Sequence, residues 1–337
     1  MINAVTLRNF GPISEIDWRD LGRLNLIIGE NGVGKTFLLK AMYSAIRTLE
    51  DYRKGNNRVG ADTILQEKLY WTFQTEQIQN LVNRNGDGDL EFNMNIDRSN
   101  FKYSFGLGEI GRILANSRSI ANRESNSIFI PAKEVISICH IILKSRDQDK
   151  LFGFDDTYLD LARALSLPTS AGRNFDAFSQ GRRDLGDMIG GRIVYNTQEL
   201  CWEFRVGNQR YAVGAMAEGV KKIAILDTLL GNRYLAPNSV IFFDEIESAL
   251  HPKYVGKLLE IVSTIVSSGI QVFISSHSYF VIKNLFLISQ QKQMSIPYIS
   301  IVANKYETGD MIKGMPDNPI IDESIRLYEQ EVGMVLG

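Results

Sequence analysis

The chain of 337 residues holds only two cysteines, Cys139 and Cys201, far apart and in no C-x-x-C pair. That excludes a disulfide-stapled framework, and with no secretory signal it predicts reduced, buried thiols in a cytoplasmic protein. Histidines number three, and no H-E-x-x-H or Cys/His metal spacing occurs. The opening MINAVTLRNF has no basic stretch leading into a continuous apolar core, so it does not read as a signal peptide. No apolar run approaches the length of a membrane span, which argues against a membrane partner. An excess of one charge is also missing: the formal net charge is -2 and the pI is near 6.0, without the basic signature of a dedicated nucleic-acid binder. No repeat, low-complexity tract or sustained heptad is present, which excludes long coiled-coil arms. What remains is an ordinary globular composition, 44% apolar and 23% charged. Such a chain can bury a sizeable core as one large domain or two smaller ones.

Against these absences stands one complete motif. Gly29-Glu30-Asn31-Gly32-Val33-Gly34-Lys35-Thr36 is a G-x-x-x-x-G-K-[ST] phosphate-binding loop. Leu24 to Ile28 before it reads as a buried strand, and Thr36 to Leu49 after it has helical periodicity. The chemistry needs that order. Glycines let backbone N–H groups turn inward around a polyphosphate, and the helix start adds partial positive charge. Lys35 is expected to reach the β- and γ-phosphates of ATP, and Thr36 to ligate Mg²⁺.

Residues 2–8 and Ile13 to Trp18 flank a turn at Asn9–Pro12 and predict a hairpin. Residues 51–60 read as a loop, and Asp62 to Asn83 as a helix. The 83–89 turn precedes two strands, 90–96 and 100–106, that suggest a meander. Ser127 to Ile130 is a short buried strand. Val135 to Lys144 fits a helix or a strand, and Asp156 to Leu165 a helix. Residues 168–190 read as a loop or a loosely held helix. Three antiparallel strands are expected at 192–195, 201–206 and 210–213. From Ala215 the pattern turns α/β: helices at 220–230, 253–267 and 279–288 alternate with strands at 240–243, 270–275 and 298–302. Alternation of this kind predicts a parallel sheet covered on both faces. The expected organisation is 1–134 and 215–337 as two parts of one nucleotide-binding core, with 135–214 as an inserted mixed α/β lobe.

The strand Val240–Phe243 runs into Asp244 and Glu245 at the edge where a parallel sheet binds its ligand. Asp244 is expected to hold the Mg²⁺ shell through water, and Glu245 to polarise the attacking water. Phosphoryl transfer asks for little beyond positioning and charge stabilisation. Ser275-Ser276-His277 places a histidine at the end of the next strand, where it either reaches the γ-phosphate or caps a helix. Ser248-Ala249-Leu250-His251-Pro252 follows the carboxylates and breaks into a helix at Pro252.

In order, the phosphate loop, FFDE, SALHP and SSH resemble the ABC-type ATPase heads of the RecF/SMC/OLD-like group. The opening Leu7-Arg8-Asn9-Phe10-Gly11-Pro12-Ile13 resembles their L-x-N-F-x-x-I start. The chain is most similar to bacterial AAA-family ATPases of OLD-like architecture, over about residues 1–50 and 215–305. The resemblance implies an α/β P-loop NTPase fold with an ABC-type head. It also implies ATP and Mg²⁺ as cofactors, and a homodimer in which two heads sandwich ATP. The contact in trans would come from Met216–Val220, with Gly219 as the family's glycine; Ala217 replaces its serine and Glu218 its middle glycine. Lys221 or Lys222 would compensate electrostatically. The family's glutamine-bearing loop has no match here, and Pro131 and Lys133 only loosely resemble its P-x-R segment. The Toprim nuclease domain of longer OLD proteins has no room after His277.

Three functions compete at this level. The first is an ATP-hydrolysing molecular switch controlling a separately encoded effector, a nuclease or toxin of a phage-defence kind. The second is an ATP-binding scaffold with little turnover, for which Ala217 speaks. The third is a RecF-like DNA-repair ATPase, which leaves a nucleic-acid partner open through Arg112, Arg118 and Arg123 against Glu124. Clusters of that size are ordinarily solvated faces.

Overall fold

The computed structural model describes residues 1–336 apart from 57, 98, 109–121, 171, 173, 197, 198, 200, 303 and 304. Strands β1 (Ile2–Phe10), β2 (Ile13–Trp18) and β3 (Leu24–Gly29) lead into helices α1 (Lys35–Asp51) and α2 (Ala61–Phe73). Strands β4 (Leu90–Ile96), β5 (Ser99–Phe105) and β6 (Ile128–Ile130) precede α3 (Cys139–Leu143), α4 (Asp156–Leu165) and α5 (Asp176–Ile189). Then come β7 (Arg192–Asn196), β8 (Cys201–Val206), β9 (Gln209–Ala212), α6 (Glu218–Gly231), β10 (Val240–Phe243) and α7 (Pro252–Val266). The chain closes with β11 (Gln271–Ser276), α8 (Tyr279–Lys292), β12 (Pro297–Val302), β13 (Lys305–Asp310) and α9 (Pro319–Leu336).

The central sheet has the order β13-β12-β3-β11-β10-β6. Its strands run parallel except β13, which pairs antiparallel with β12. Its strands are apolar at successive positions because both faces are covered. Leu24, Leu26, Ile28, Ile241, Phe243, Val272 and Ile274 face one core, which α4 to α8 cover. Ile27, Val240, Phe242, Phe273, Ile299 and Ile301 face the other, beneath α1 and the antiparallel sheet β2-β1-β4-β5. Ile136, Ile142, Phe178, Ile193 and Phe204, from the 135–214 segment, belong to the first core. The three-stranded unit β7-β8-β9 is antiparallel, as its alternation predicts.

Several expectations are corrected. The helix foreseen over 62–83 stops at Phe73, where Gln74 takes a left-handed φ of 49° and its N–H closes on the Tyr70 carbonyl. A 3₁₀ turn over Ile78–Leu81 follows, because Val82 bridges Phe10 and the Gly11 N–H donates to Leu81 O, which turns the chain back along β1. Residues 176–189 form a packed helix, with Phe178, Leu185 and Met188 buried. Gly181 makes that packing close: a Cβ there would stand 3.3 Å from Ile265 of α7. The 135–144 segment is helical. Cys139 is buried as expected, but Cys201 is exposed, at the first position of β8 on a small sheet with one open face. Of the basic cluster, Arg112 and Arg118 lie outside the described residues. Arg123 is buried and pairs with Glu50 at 2.7 Å and Asp97 at 2.9 Å, so it adds nothing to a solvated basic face.

One face of α1 is polar although it is covered. Lys40 Nζ lies 2.6 Å from Asp155, Tyr43 Oη donates to Asp160 at 2.7 Å, and Arg47 Nε is 3.2 Å from the same carboxylate. Lys68 of α2 lies 3.0 Å from Asp51 and 3.7 Å from Asp156. Burial pushes Asp160 up, but Lys68 and Arg47 outweigh it and hold the carboxyl at about 2. Asp156 keeps the opposite balance: burial wins over Lys68, and its carboxyl rises to about 6. These pairs fix geometry more than they stabilise, since desolvation offsets most of their attraction.

Candidate functional site

Three neighbouring strands, β3, β11 and β10, end side by side, and each delivers one part of the site. From β3 the phosphate loop runs into α1. Gly32 and Gly34 have φ of 83° and 99°, values that a side chain tolerates poorly. Gly34 caps α1 without any side-chain bond, and no acidic residue sits in the first turn. The first N–H groups of α1 therefore keep their capacity for an anion, and no carboxylate of the helix's own first turn opposes its dipole. Lys35 is buried, and its ammonium donates to the carbonyls of Gly29 at 2.8 Å and Glu30 at 2.7 Å. Burial lowers its pKa, while Glu245, Asp244 and Glu247 pull it back up.

From β10 come the carboxylates. Asp244 is buried, with Thr36 Oγ1 at 2.9 and 3.0 Å from its two oxygens. Ser275 of β11 donates to the same carboxylate at 2.6 Å and accepts the Glu245 N–H at 3.1 Å. Thr36 and Asp244, far apart in sequence, thus form one compact set of hard oxygen donors, the kind Mg²⁺ takes. Glu245 stands at a left-handed φ of 48°, an uncommon conformation for a non-glycine residue and one that gathers at functional sites. Its side chain is one-third exposed, and Oε1 lies 3.3 Å from His277 Nδ1.

From β11 comes His277, half-exposed and directly beside Glu245. It does not cap α8, whose cap is Ser278. Histidine capping occurs instead at His251, whose Nδ1 accepts the Lys253 N–H at the start of α7. Lys35, Thr36, Asp244, Glu245 and His277 are therefore brought together.

The Met216–Val220 loop opens α6, with Ala217 as a cap that makes no side-chain bond and Glu218 in the first turn. Gly219 is buried, and a Cβ there would stand 2.5 Å from the Ala249 carbonyl, so packing alone demands glycine. Neither lysine that follows is free for a contact in trans. Lys221 pairs with Glu134 at 3.5 Å. Lys222, also buried, donates to the carbonyls of Glu245 and Ala132.

A family model described as "AAA domain, putative AbiEii toxin, Type IV TA system" matches residues 24–283. The chain belongs to this AAA family. No curated protein matches it in sequence. Its fold is similar to a solved SmcHead bound to the C-winged helix domain of ScpA, at 16% identity and a TM-score of 0.53 over 92% of this chain and 97% of that one. It is also similar to an Smc head with an extended coiled coil bound to the C-terminal domain of ScpA derived from Pyrococcus furiosus. That match has 13% identity and a TM-score of 0.50, over 98% of both chains. The AAA domain thus has the fold of an ABC-type P-loop NTPase head, as the sequence resemblance implied.

Sequence reasoning missed several residues of the AAA domain's site. Ser275 and Glu247 were visible only as letters within short motifs. Lys222 was placed as a contact in trans, yet it sits behind Glu245; burial lowers its pKa to about 8 against the pull of Glu247, Asp244 and Glu245. Tyr158 of α4 is pushed up to about 12 by burial and then by the charges of Asp155 and Asp244, so it too lies within reach of that carboxylate's field. No periodicity or spacing signals these contacts, because each joins segments far apart in sequence. Among the described residues no helix is long and apolar enough to cross a membrane.

Proposed function

We propose that this AAA protein is an ATP-hydrolysing molecular switch. The observation that carries the reading is the Thr36–Asp244 contact of 2.9 Å, with Glu245 and His277 beside it. Families of this type bind ATP with Mg²⁺ and hydrolyse it in general. Thr36 and Asp244 would hold the Mg²⁺, which supplies charge neutralisation on the phosphates. Gly29–Thr36 wraps the polyphosphate, and Lys35 exchanges its loop carbonyls for phosphate oxygens. Glu245 orients the attacking water and takes its proton. His277, on the neighbouring strand end, places an imidazole at the terminal phosphate.

The switch would work as a homodimer, with Met216–Val220 of each head facing the nucleotide of the other and Gly219 at that contact. Residues 135–214 would form a lobe that presents a surface to a separately encoded effector. The family's description, a putative toxin of a type IV toxin–antitoxin system, supports a nuclease or toxin partner and a defence role. The solved Smc heads each carry a ScpA domain, which supports a partner protein on a head of this fold. A cytoplasmic ATPase of OLD-like architecture fits this reading.

The test is turnover of ATP·Mg²⁺ by wild type and by Glu245→Gln. Removing the charge that accepts the proton should cut the rate by on the order of 100-fold or more while ATP stays bound. Wild-type turnover in the mutant would overturn the role given to Glu245. A second reading, a scaffold with little turnover, is favoured by Glu218 at the start of α6 and by the inward-turned Lys221 and Lys222. Absence of turnover in the wild type, with tight ATP binding, would establish it.

A further inference from the structure

Glu247 has no part in the mechanism above, yet its carboxylate is held inside the site. It lies on the turn after β10, and its side chain is nearly nine-tenths buried. Oε1 accepts the Ser276 hydroxyl at 2.7 Å and the backbone N–H of His277 at 3.3 Å. Ser276 Oγ in turn accepts the Ser278 N–H at 3.0 Å, so one carboxylate oxygen organises the whole turn between β11 and α8. The same Oε1 is 3.9 Å from His277 Nδ1, the ring nitrogen that Glu245 approaches to 3.3 Å. The other oxygen, Oε2, is buried and accepts no hydrogen bond from the described residues.

A buried carboxylate oxygen without a partner costs free energy, and a site keeps one only against some return. The His277 ring, 3.9 Å from the other oxygen, is a neighbouring group with an N–H to give, and the Lys222 and Lys35 ammonium groups also feel this carboxylate. Two carboxylates on its Nδ1 edge leave its Nε2 edge turned away from both, because the two nitrogens lie on different sides of an imidazole. We infer that Glu247 is a positioning residue: it fixes the Ser276–His277 turn and, through Nδ1, aims the His277 ring at the place of the terminal phosphate. The inference rests on the reading of this site as an ATPase centre. Glu247 touches no phosphate itself; it acts through His277.

Two measurements separate this inference from that reading. In the first, turnover is measured for Glu247→Ala, Glu247→Gln, His277→Ala and the double variant Glu247→Ala/His277→Ala. Glu247→Ala should lower kcat on the order of 10- to 100-fold with KM for ATP little changed, the cost of a misaimed group. Glu247→Gln keeps an acceptor oxygen for Ser276 and His277 and should restore most of the rate. In the His277→Ala background the Glu247→Ala change should cost less than about twofold, because the residue it acts through is gone. Equal losses in both backgrounds, or no loss in either, would overturn the inference.

The second measurement needs no turnover. With three histidines in the chain, the imidazole resonances of His277 are separable from those of His140 and His251 in the nucleotide-free protein. Glu247→Ala, which removes the acceptor that holds the turn, should move the His277 ring signals more than Glu247→Gln does, and both should leave the other two in place. Unmoved His277 signals would sink the positioning role even if hydrolysis is confirmed. Moved signals in a protein without turnover would uphold it while the ATPase reading fails.

Discussion

Two helices of this protein begin at sites proposed to meet phosphate, α1 and α6, and their first turns are built in opposite ways. At α1 the cap is a left-handed glycine, the first turn carries no acid, and a buried lysine lies against the loop carbonyls. At α6 the cap is Ala217, the first turn carries Glu218, and the two following lysines are turned into their own chain. Both starts expose N–H groups and a positive dipole end. The contrast teaches that a helix start alone does not make an anion site; the charges around it decide. By that measure α1 is the start equipped to meet a nucleotide within one head. α6 offers only backbone to a second head and sets a carboxylate against it, so the proposed dimer is expected to be weak and readily reversed.

The largest expected effect breaks the α1 side. Lys35→Ala removes the point charge and should weaken ATP binding on the order of 10- to 100-fold, the worth of a charge-assisted hydrogen bond in a buried site. Calorimetric titration reads it, and an unchanged affinity would deny the loop its role. Next is the pH response of α6. Lys222 titrates near 8 in the fold, below its ordinary 10.5. The folded state therefore holds fewer protons than the unfolded one between those values, and this group's contribution to stability rises as pH climbs through 8. The melting temperature of Lys222→Met relative to wild type should accordingly be highest below pH 8 and lose that advantage by about pH 10. A difference that stays flat across that range would place the ammonium in water instead.

Smaller effects sharpen the comparison. Gly219→Ala drives a Cβ into the Ala249 carbonyl, and should cost about 1–3 kcal/mol of stability in a single head with ATP affinity unchanged. Chemical denaturation with and without ATP checks both halves. A Gly219 change therefore tests packing before it tests a contact between heads. Glu218→Gln removes only the first-turn charge of α6. It should lower helix stability by about 0.3–1 kcal/mol, while sedimentation in the Glu245→Gln background shows a tighter ATP-linked dimer. A dimer weakened by Glu218→Gln would reverse the argument about that carboxylate.

The elements of the central sheet were legible because their cause is local. The runs ending at Ile28 and Phe243 are apolar throughout since both faces of the sheet are covered, and glycine, proline and histidine mark the turns around them. The Gly29–Thr36 loop was legible for the same reason: the motif carries its own geometry. What escaped depends on partners distant in sequence. The helix over 62–83 ends early because Val82 must meet Phe10, and nothing near residue 73 announces it. The packed helix over 176–189 hid behind its glycines, of which Gly181 serves contact with Ile265. Lys222 could be given a role but not a direction, since a lysine at a helix start looks alike whether it points outward or back toward Glu245.

The polar face of α1 has a mechanical consequence. A helix advances about 100° per residue, so Lys40, Tyr43 and Arg47 share one side only in a single rotational setting. Asp155 and Asp160 hold them in that setting like teeth on a rack. A pull on Lys35 and Thr36 from a bound nucleotide would thereby reach α4 through these contacts, and α4 belongs to the 135–214 stretch. A single alanine inserted between Thr36 and Lys40 would turn all later residues of α1 by about 100°, and carry the polar face and the buried Met42 and Ile46 out of register together.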